Sequence, residues 1–273
     1  MIRARKIAGA LGAEISGVDL AKPLSGNDFG EIKRLWLEHL VVFFRDQTLT
    51  ERQYMAFAQQ FGEPIEYPLV KGLPEYPKII EVKKLEHERA AFGAIWHSDT
   101  AYLERPPMAS MLLARELPPF GGDTLFANMY LAFESLSDGM KALLSGLRAV
   151  NSSAKADVSK TREDRVRSDG KDAKTYTVEH PVVRTHPETG RKALYVNPAH
   201  TVRFAGWTEE ESAGLLKYLY EVQVRPEFTC RFSWQPGSIA LWDNRCAQHN
   251  PVNDYHGHRR LMYRITLAGD VPR

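Results

Sequence analysis

The chain has 273 residues, 43% of them hydrophobic and 26% charged. That is long enough to bury a full core without disulfide or metal staples, and the composition excludes bulk disorder. Thirty-six basic against 34 acidic side chains leave a formal charge of +2, too little excess to neutralise a nucleic-acid backbone.

No run approaches 18 apolar residues, so no helical membrane span is expected. Two cysteines, Cys230 and Cys246, occur without a CxxC pair. They suit a reducing cytoplasm and offer no thiolate zinc site. The basic start at residues 1–6 and the apolar 7–13 stretch mimic a signal peptide, but Glu14 interrupts a short Gly/Ala-rich run; the segment is expected to join the fold.

Phe29, Ile32, Trp36 and Leu40 recur at spacings of three and four and predict a helix over 27–40. The β-branched and aromatic Val41-Val42-Phe43-Phe44 predicts a buried strand. Thr50-Glu51-Arg52-Gln53 is a capping box opening a helix to about residue 60. Four prolines at 64, 68, 74 and 77 make 62–80 a loop with short edge segments, with a strand at 79–82.

Strands are expected at 108–115 and 124–127, then helices near 129–136 and 138–146. Residues 155–174 hold 12 charged side chains and little that is apolar. They read as a solvated loop, and a long loop in a compact domain is often an active-site lid; a mobile lid is expected over 155–178. The strand at 181–185, the Pro/Gly turn at 186–190 and the return at 192–196 form a hairpin signal. Thr208-Glu209-Glu210-Glu211 opens a helix to about 222. Strands at 228–233, 238–242 and 260–267 close a single domain, 1–273. Many short late strands with helices early and between suggest a β barrel or sandwich wrapped by helices.

Two of the nine histidines start a His-x-acid pair: His97-Ser98-Asp99 and His186-Pro187-Glu188. Chance supplies about one such match in a chain this acidic. The second lies in a turn and reads as structural. Residues two apart on an extended segment share a face, so His97 and Asp99 can grip one metal ion. His249, just beyond the strand end at 238–242, is the candidate third ligand. Two histidines and one carboxylate with open positions suit a non-haem Fe(II) oxygenase; a zinc-type metallohydrolase using the same three residues is the alternative.

On the final strand, one face carries Leu261, Tyr263, Ile265 and Leu267, and the other Arg260, Met262, Arg264 and Thr266. The polar face either meets solvent or lines a lumen. In a lumen, two guanidiniums about 13 Å apart would receive two carboxylate-like anions.

These residues, with Leu11 to Leu20, Trp96, Gly121-Gly122-Asp123-Thr124, His180 to Pro187, Trp242-Asp243-Asn244-Arg245 and Arg259 to Arg264, carry a resemblance. The chain resembles the taurine dioxygenase / 2,4-dichlorophenoxyacetate dioxygenase family of Fe(II)- and 2-oxoglutarate-dependent oxygenases, from about Gly12 to Asp270. Thr124 falls 27 residues after His97, and Arg260 falls 11 after His249, as in the family.

The resemblance implies a mainly β fold with flanking helices, on a double-stranded β-helix (jelly roll, cupin-like) core. It implies that His97, Asp99 and His249 bind Fe(II), and that Thr124 and Arg260 hold 2-oxoglutarate. Arg264 matches the arginine that takes the substrate's acidic group. The implied reaction consumes O2, hydroxylates a small anionic substrate (an alkylsulfonate, an alkyl sulfate, or an aryloxy or carboxylic acid), and releases succinate and CO2. The family also implies a homodimer or homotetramer. Around the substrate the chain departs from the taurine-acting members: four pocket positions hold Val70, Gly93, Asp157 and His200, and Tyr67 lies near a fifth. An anionic substrate other than taurine is therefore expected.

Overall fold

The computed structural model describes residues 1–155 and 175–273. Most of the expected 155–178 lid, with Asp157, lies outside the described residues.

Two sheets face each other. The larger runs in the order Arg3–Lys6, Ala13–Ser16, Val41–Phe44, Ile239–Asp243, Ala109–Glu116, Arg260–Leu267 and Pro64–Ile65, with Ile80–Lys84 also paired to the Arg260–Leu267 strand. Opposite its centre lie Thr229–Phe232, Thr124–Asn128 and Ala247–Pro251, in that order. Phe43 of the large sheet stacks on Phe232 at 3.9 Å and meets Phe126 edge-on at 5.6 Å. Three further strands, Arg148–Ser152, Thr177–Pro181 and Thr201–Phe204, pair antiparallel, and Val183–Thr185 pairs with Lys192–Leu194 as a hairpin. This is a jelly-roll core with helices outside.

The large sheet is buried on both faces, which explains its unbroken apolar runs. Period-two alternation sends Val41, Phe43, Ala240, Trp242, Leu112 and Met262 into the core between the sheets. It sends Val42, Phe44, Ile239, Leu241, Leu113 and Ile265 into a second core under the helices. Helix Gly26–His39 supplies Ile32, Leu35 and Trp36 to that second core; Ser25 caps its start, and Leu40 ends it at φ 64°, turning the chain straight into Val41. Helix Glu51–Gln59 opens with the expected capping box and adds Tyr54 and Phe57. Helix Glu209–Gln223 has the second box.

Most expected elements fall within two residues of the observed ones. The structure adds strands that the pattern did not show, among them Arg3–Lys6, Ala13–Ser16 and Ala247–Pro251. His249 therefore lies inside a short strand, not beyond a strand end. Two histidines outside the metal set are buried. His39 is covered at the end of its helix, and His186 is 1% exposed. Among the described residues no helix is long and apolar enough to cross a membrane.

Candidate active site

His97 and His249 are paired directly. The N–H of each donates to the carbonyl of the other, at 3.0 and 2.9 Å, and their rings lie 4.1 Å apart. Asp99, two residues on, brings Oδ1 to 3.6 Å from His97 Nε2. One ligand atom from each of the three falls within 4.8 Å of the others, and all three residues are buried.

The protonation pattern suits a divalent cation. His97 Nδ1 lies 2.7 Å from the Ile95 carbonyl. A carbonyl only accepts, so Nδ1 carries a hydrogen, and Nε2 is the ring nitrogen turned toward Asp99. Burial, then neighbouring His97, push His249 well below the ordinary histidine pKa, so it is neutral. Burial opposes charge on Asp99, yet Arg264, His97 and His249 together hold it well below the usual carboxylate range. Two imidazoles and one carboxylate on one side leave further coordination positions open.

Asp99 is aimed by its neighbours. Ser110 Oγ donates to Oδ2 at 2.5 Å, and Arg264 Nη1 donates to Oδ1 at 3.1 Å. Asn244 donates from Nδ2 to Ser110 Oγ at 2.9 Å, and its Oδ1 accepts from Trp242 Nε1 at 2.9 Å. Trp242 also lays its ring 4.7 Å from His249. Thr100, directly after Asp99, sits at φ 40°, a costly region for a β-branched residue, of the kind that gathers at functional sites.

The final strand resolves the lumen question. Arg260, Met262, Arg264 and Thr266 are all at most 4% exposed. His97, Thr124, His249, Trp242, Arg260 and Arg264 line one narrow cavity. Arg260 has no hydrogen-bond partner for Nε or Nη2 among the described residues, and burial lowers its pKa. The rings of Trp234 and Tyr255 lie 5.9 and 6.0 Å from its guanidinium. A Cβ on Gly122 would reach 3.3 Å from Arg260 Cδ and Nε, so glycine lets this loop lie against the arginine. Thr124 Oγ1 accepts from Trp234 Nε1 at 3.0 Å, which leaves its own hydrogen to donate.

Arg264 meets the other expected pocket residues. Its guanidinium lies 4.6 Å from the Tyr67 ring and 5.6 Å from that of Phe92. Tyr67, Val70 and Ile80 form a small buried cluster. Gly93 stands at φ 71°, where a Cβ would come 3.0 Å from His97 Cε1. His200 packs edge-on to His97 at 6.1 Å; burial, then the proximity of His97, push its pKa down to about 3. Reading the sequence missed Ser110, Asn244, Trp234, Tyr255 and Phe92. Each contributes one neutral group through a long-range contact, and no spacing marks it.

A second buried set, His186, Asp243 and Cys246, also has metal-like spacing. Its ligand atoms are already engaged. His186 Nε2 lies 3.0 Å from Asp243 Oδ2, and its Nδ1 accepts from the Glu188 and Thr189 N–H groups. Arg245 grips both Asp243 oxygens, from Nε at 2.8 Å and Nη2 at 2.7 Å. This is an ion-pair lock that ties the hairpin turn to the end of the 239–243 strand.

With this geometry in hand, comparison with known proteins is decisive. Residues 3–266 match the family model described as "Taurine catabolism dioxygenase TauD, TfdA family". The chain belongs to the TauD/TfdA family. Among curated relatives, an alkylsulfatase of Acinetobacter baylyi is 37% identical, covering 99% of this chain and 86% of that protein. An alpha-ketoglutarate-dependent sulfate ester dioxygenase of Pseudomonas putida is 36% identical over 97% of this chain and 89% of its own length. A taurine dioxygenase structure from Burkholderia xenovorans superposes with TM-score 0.85 at 38% identity, covering 99% of this chain and 92% of that one. The structure of AAD-2 in complex with Mn(II) and N-oxalylglycine gives TM-score 0.83 at 30% identity, covering 100% and 99%.

The TauD/TfdA chain described here is thus a 2-oxoglutarate-dependent non-haem iron dioxygenase, working with Fe(II), 2-oxoglutarate and O2. The zinc metallohydrolase alternative finds no support in these likenesses.

Proposed function

We propose that the enzyme hydroxylates a small organic anion at a carbon held beside the metal, with His97, Asp99 and His249 holding Fe(II), Thr124 and Arg260 holding 2-oxoglutarate, and Arg264 seating the substrate's acidic group. Fe(II) with 2-oxoglutarate and O2 supplies the oxidising power that inserts oxygen into a C–H bond, while the cosubstrate leaves as succinate and CO2. The chain's own residues do the positioning. Arg260 offers a buried, unpaired fork to the distal carboxylate, and Thr124 adds a hydroxyl donor. Ser110 and Asn244 fix the angle of Asp99. Phe126, Leu112 and Val82 keep the cavity wall apolar, which excludes water from the reacting carbon.

One observation carries the substrate reading. Arg264 is 4% exposed, with Nε and Nη2 unpaired and only Nη1 engaged, on a residue of the metal cluster. A buried cation with open donors is stabilised by an incoming anion. The relatives named for sulfate esters, sulfonates and 2,4-dichlorophenoxyacetate support sulfate esters, sulfonates and aryloxy acids as the classes to test. Tyr67, Val70, Gly93 and His200 shape the space around the anion. Gly93 and Val70 leave room that favours a substrate larger or more apolar than taurine. The working form is a single-domain cytoplasmic homodimer or homotetramer.

The test is 2-oxoglutarate-dependent succinate formation across a panel of alkyl sulfates, alkylsulfonates and aryloxyacetates. Turnover with at least one class, and its loss in Arg264→Met while 2-oxoglutarate still binds, supports the reading. Equal turnover of uncharged analogues contradicts it.

A further inference from the structure

Tyr102 is not among the residues assigned above, yet its hydroxyl is the least explained polar group near the metal cluster. The residue is 1% exposed. Its Oη has no hydrogen-bond partner among the described residues. A buried hydroxyl left without a partner costs on the order of 1–3 kcal/mol, so such a group is expected to have a ligand.

The surroundings of Tyr102 say what that ligand is. On one side its ring meets His200 edge-on at 5.0 Å, and His200 meets His97 at 6.1 Å. On the other, its hydroxyl lies beside the Tyr67 side chain, a competing hydrogen-bonding neighbour, and in the field of Arg264, and Tyr67 underlies the Arg264 guanidinium at 4.6 Å. Tyr102 thus spans the interval between the arginine that seats the anion and a histidine of the metal cluster. The atom linking a substrate's anionic head to its oxidised carbon must cross the same interval. His200 Nδ1 is likewise buried without a partner, so this stretch of wall is polar but uncharged. Burial raises the Tyr102 pKa far above neutrality, and the hydroxyl remains a donor at any working pH.

We infer that Tyr102 is a specificity-determining residue, whose hydroxyl donates a hydrogen bond to an uncharged bridging oxygen between the substrate's anionic head and its oxidised carbon. The enzyme then prefers alkyl sulfates over the alkylsulfonates that put a methylene in place of the bridging oxygen. This rests on the reading of Arg264 as the anion's seat. The donor must find an acceptor or stay buried and unpaired. A methylene in place of the oxygen therefore loses more than the bond itself, which is how a polar site rejects an apolar analogue.

The experiment uses one isosteric pair, hexyl sulfate and 1-heptanesulfonate. For wild type and Tyr102→Phe, Kd is read from perturbation of the visible band of the anaerobic Fe(II)–2-oxoglutarate enzyme, and kcat/KM from succinate. The expected result is a wild-type Kd ratio of about tenfold (~1.4 kcal/mol) in favour of hexyl sulfate. That ratio collapses toward one in Tyr102→Phe. Losses common to both members cancel in the ratio, so general damage from the substitution does not mimic the effect. A wild-type ratio near one, or a ratio that survives in Tyr102→Phe, overturns the proposal and leaves the Arg264 reading standing. Failure of both anions to perturb the band overturns the Arg264 reading, and this proposal with it.

Discussion

Replacing Ser110 by alanine tests whether Asp99 is held for metal binding. Ser110 is 0% exposed; it donates to Asp99 Oδ2 at 2.5 Å and accepts from Asn244 Nδ2 at 2.9 Å. The substitution removes one hydrogen bond to an ionised carboxylate, worth roughly 1.5–3 kcal/mol, and leaves an amide donor of Asn244 buried and unpaired, at roughly 1–3 kcal/mol. Two separate effects follow. The first is a loss of stability, seen as a fall in Tm of the metal-free protein. The second is a rotational freedom of Asp99 that weakens divalent binding, for which loss of a partner to a ligand typically costs 10–100-fold. Titration of Fe(II) or Mn(II) into anaerobic protein measures the second directly. Ser110→Thr retains the hydroxyl and is expected to recover most of the metal affinity, despite its extra methyl in a closed site. Metal affinity unchanged in Ser110→Ala, with the Tm drop present, would refute the view that Ser110 serves the metal through Asp99.

Three further outcomes are expected. Arg260→Ala raises the 2-oxoglutarate KM by roughly 100-fold, the cost of removing a buried charge partner (~3 kcal/mol), in steady-state succinate assays. Gly93→Ala, at φ 71° and 3.0 Å from His97 Cε1, strains the backbone by about 1–2 kcal/mol and lowers Tm by roughly 2–4 °C per kcal/mol in differential scanning. The metal-free protein loses stability on acidification below pH 6.5, as urea unfolding at pH 7 and pH 5 will show. His180 and His200 are held to pKa values of about 4 and about 3 by burial, against the ordinary histidine value of 6.5. They stay neutral when folded while the unfolded chain takes up protons. Each destabilises by up to ~1.4 kcal/mol per pH unit until pH falls through its folded value, and His180→Gln removes its share.

The elements with a strong period were legible. The capping boxes at Thr50 and Thr208 and the Val41–Phe44 run are local signals, and the structure keeps them. Strands such as Ala247–Pro251, with Gln, His and Asn in five residues, carry no apolar alternation; only pairing with Thr124–Asn128 makes them strands. The His97-x-Asp99 pair was legible because extended residues two apart share a face. The inward turn of Arg260 and Arg264 was undecided in the pattern, since both faces of that strand are buried. His186 was legible as a structural turn residue, but its burial was not, because its partner Asp243 lies 57 residues away.

The central claim, that His97, Asp99 and His249 hold Fe(II) with 2-oxoglutarate seated on Arg260, is tested most directly by spectroscopy of the anaerobic enzyme. Fe(II) and 2-oxoglutarate added together are predicted to give the weak visible metal-to-ligand charge-transfer band. It should vanish in His97→Ala and require far more 2-oxoglutarate in Arg260→Ala. A folded, metal-loaded protein without the band, or a band indifferent to both substitutions, would contradict the account.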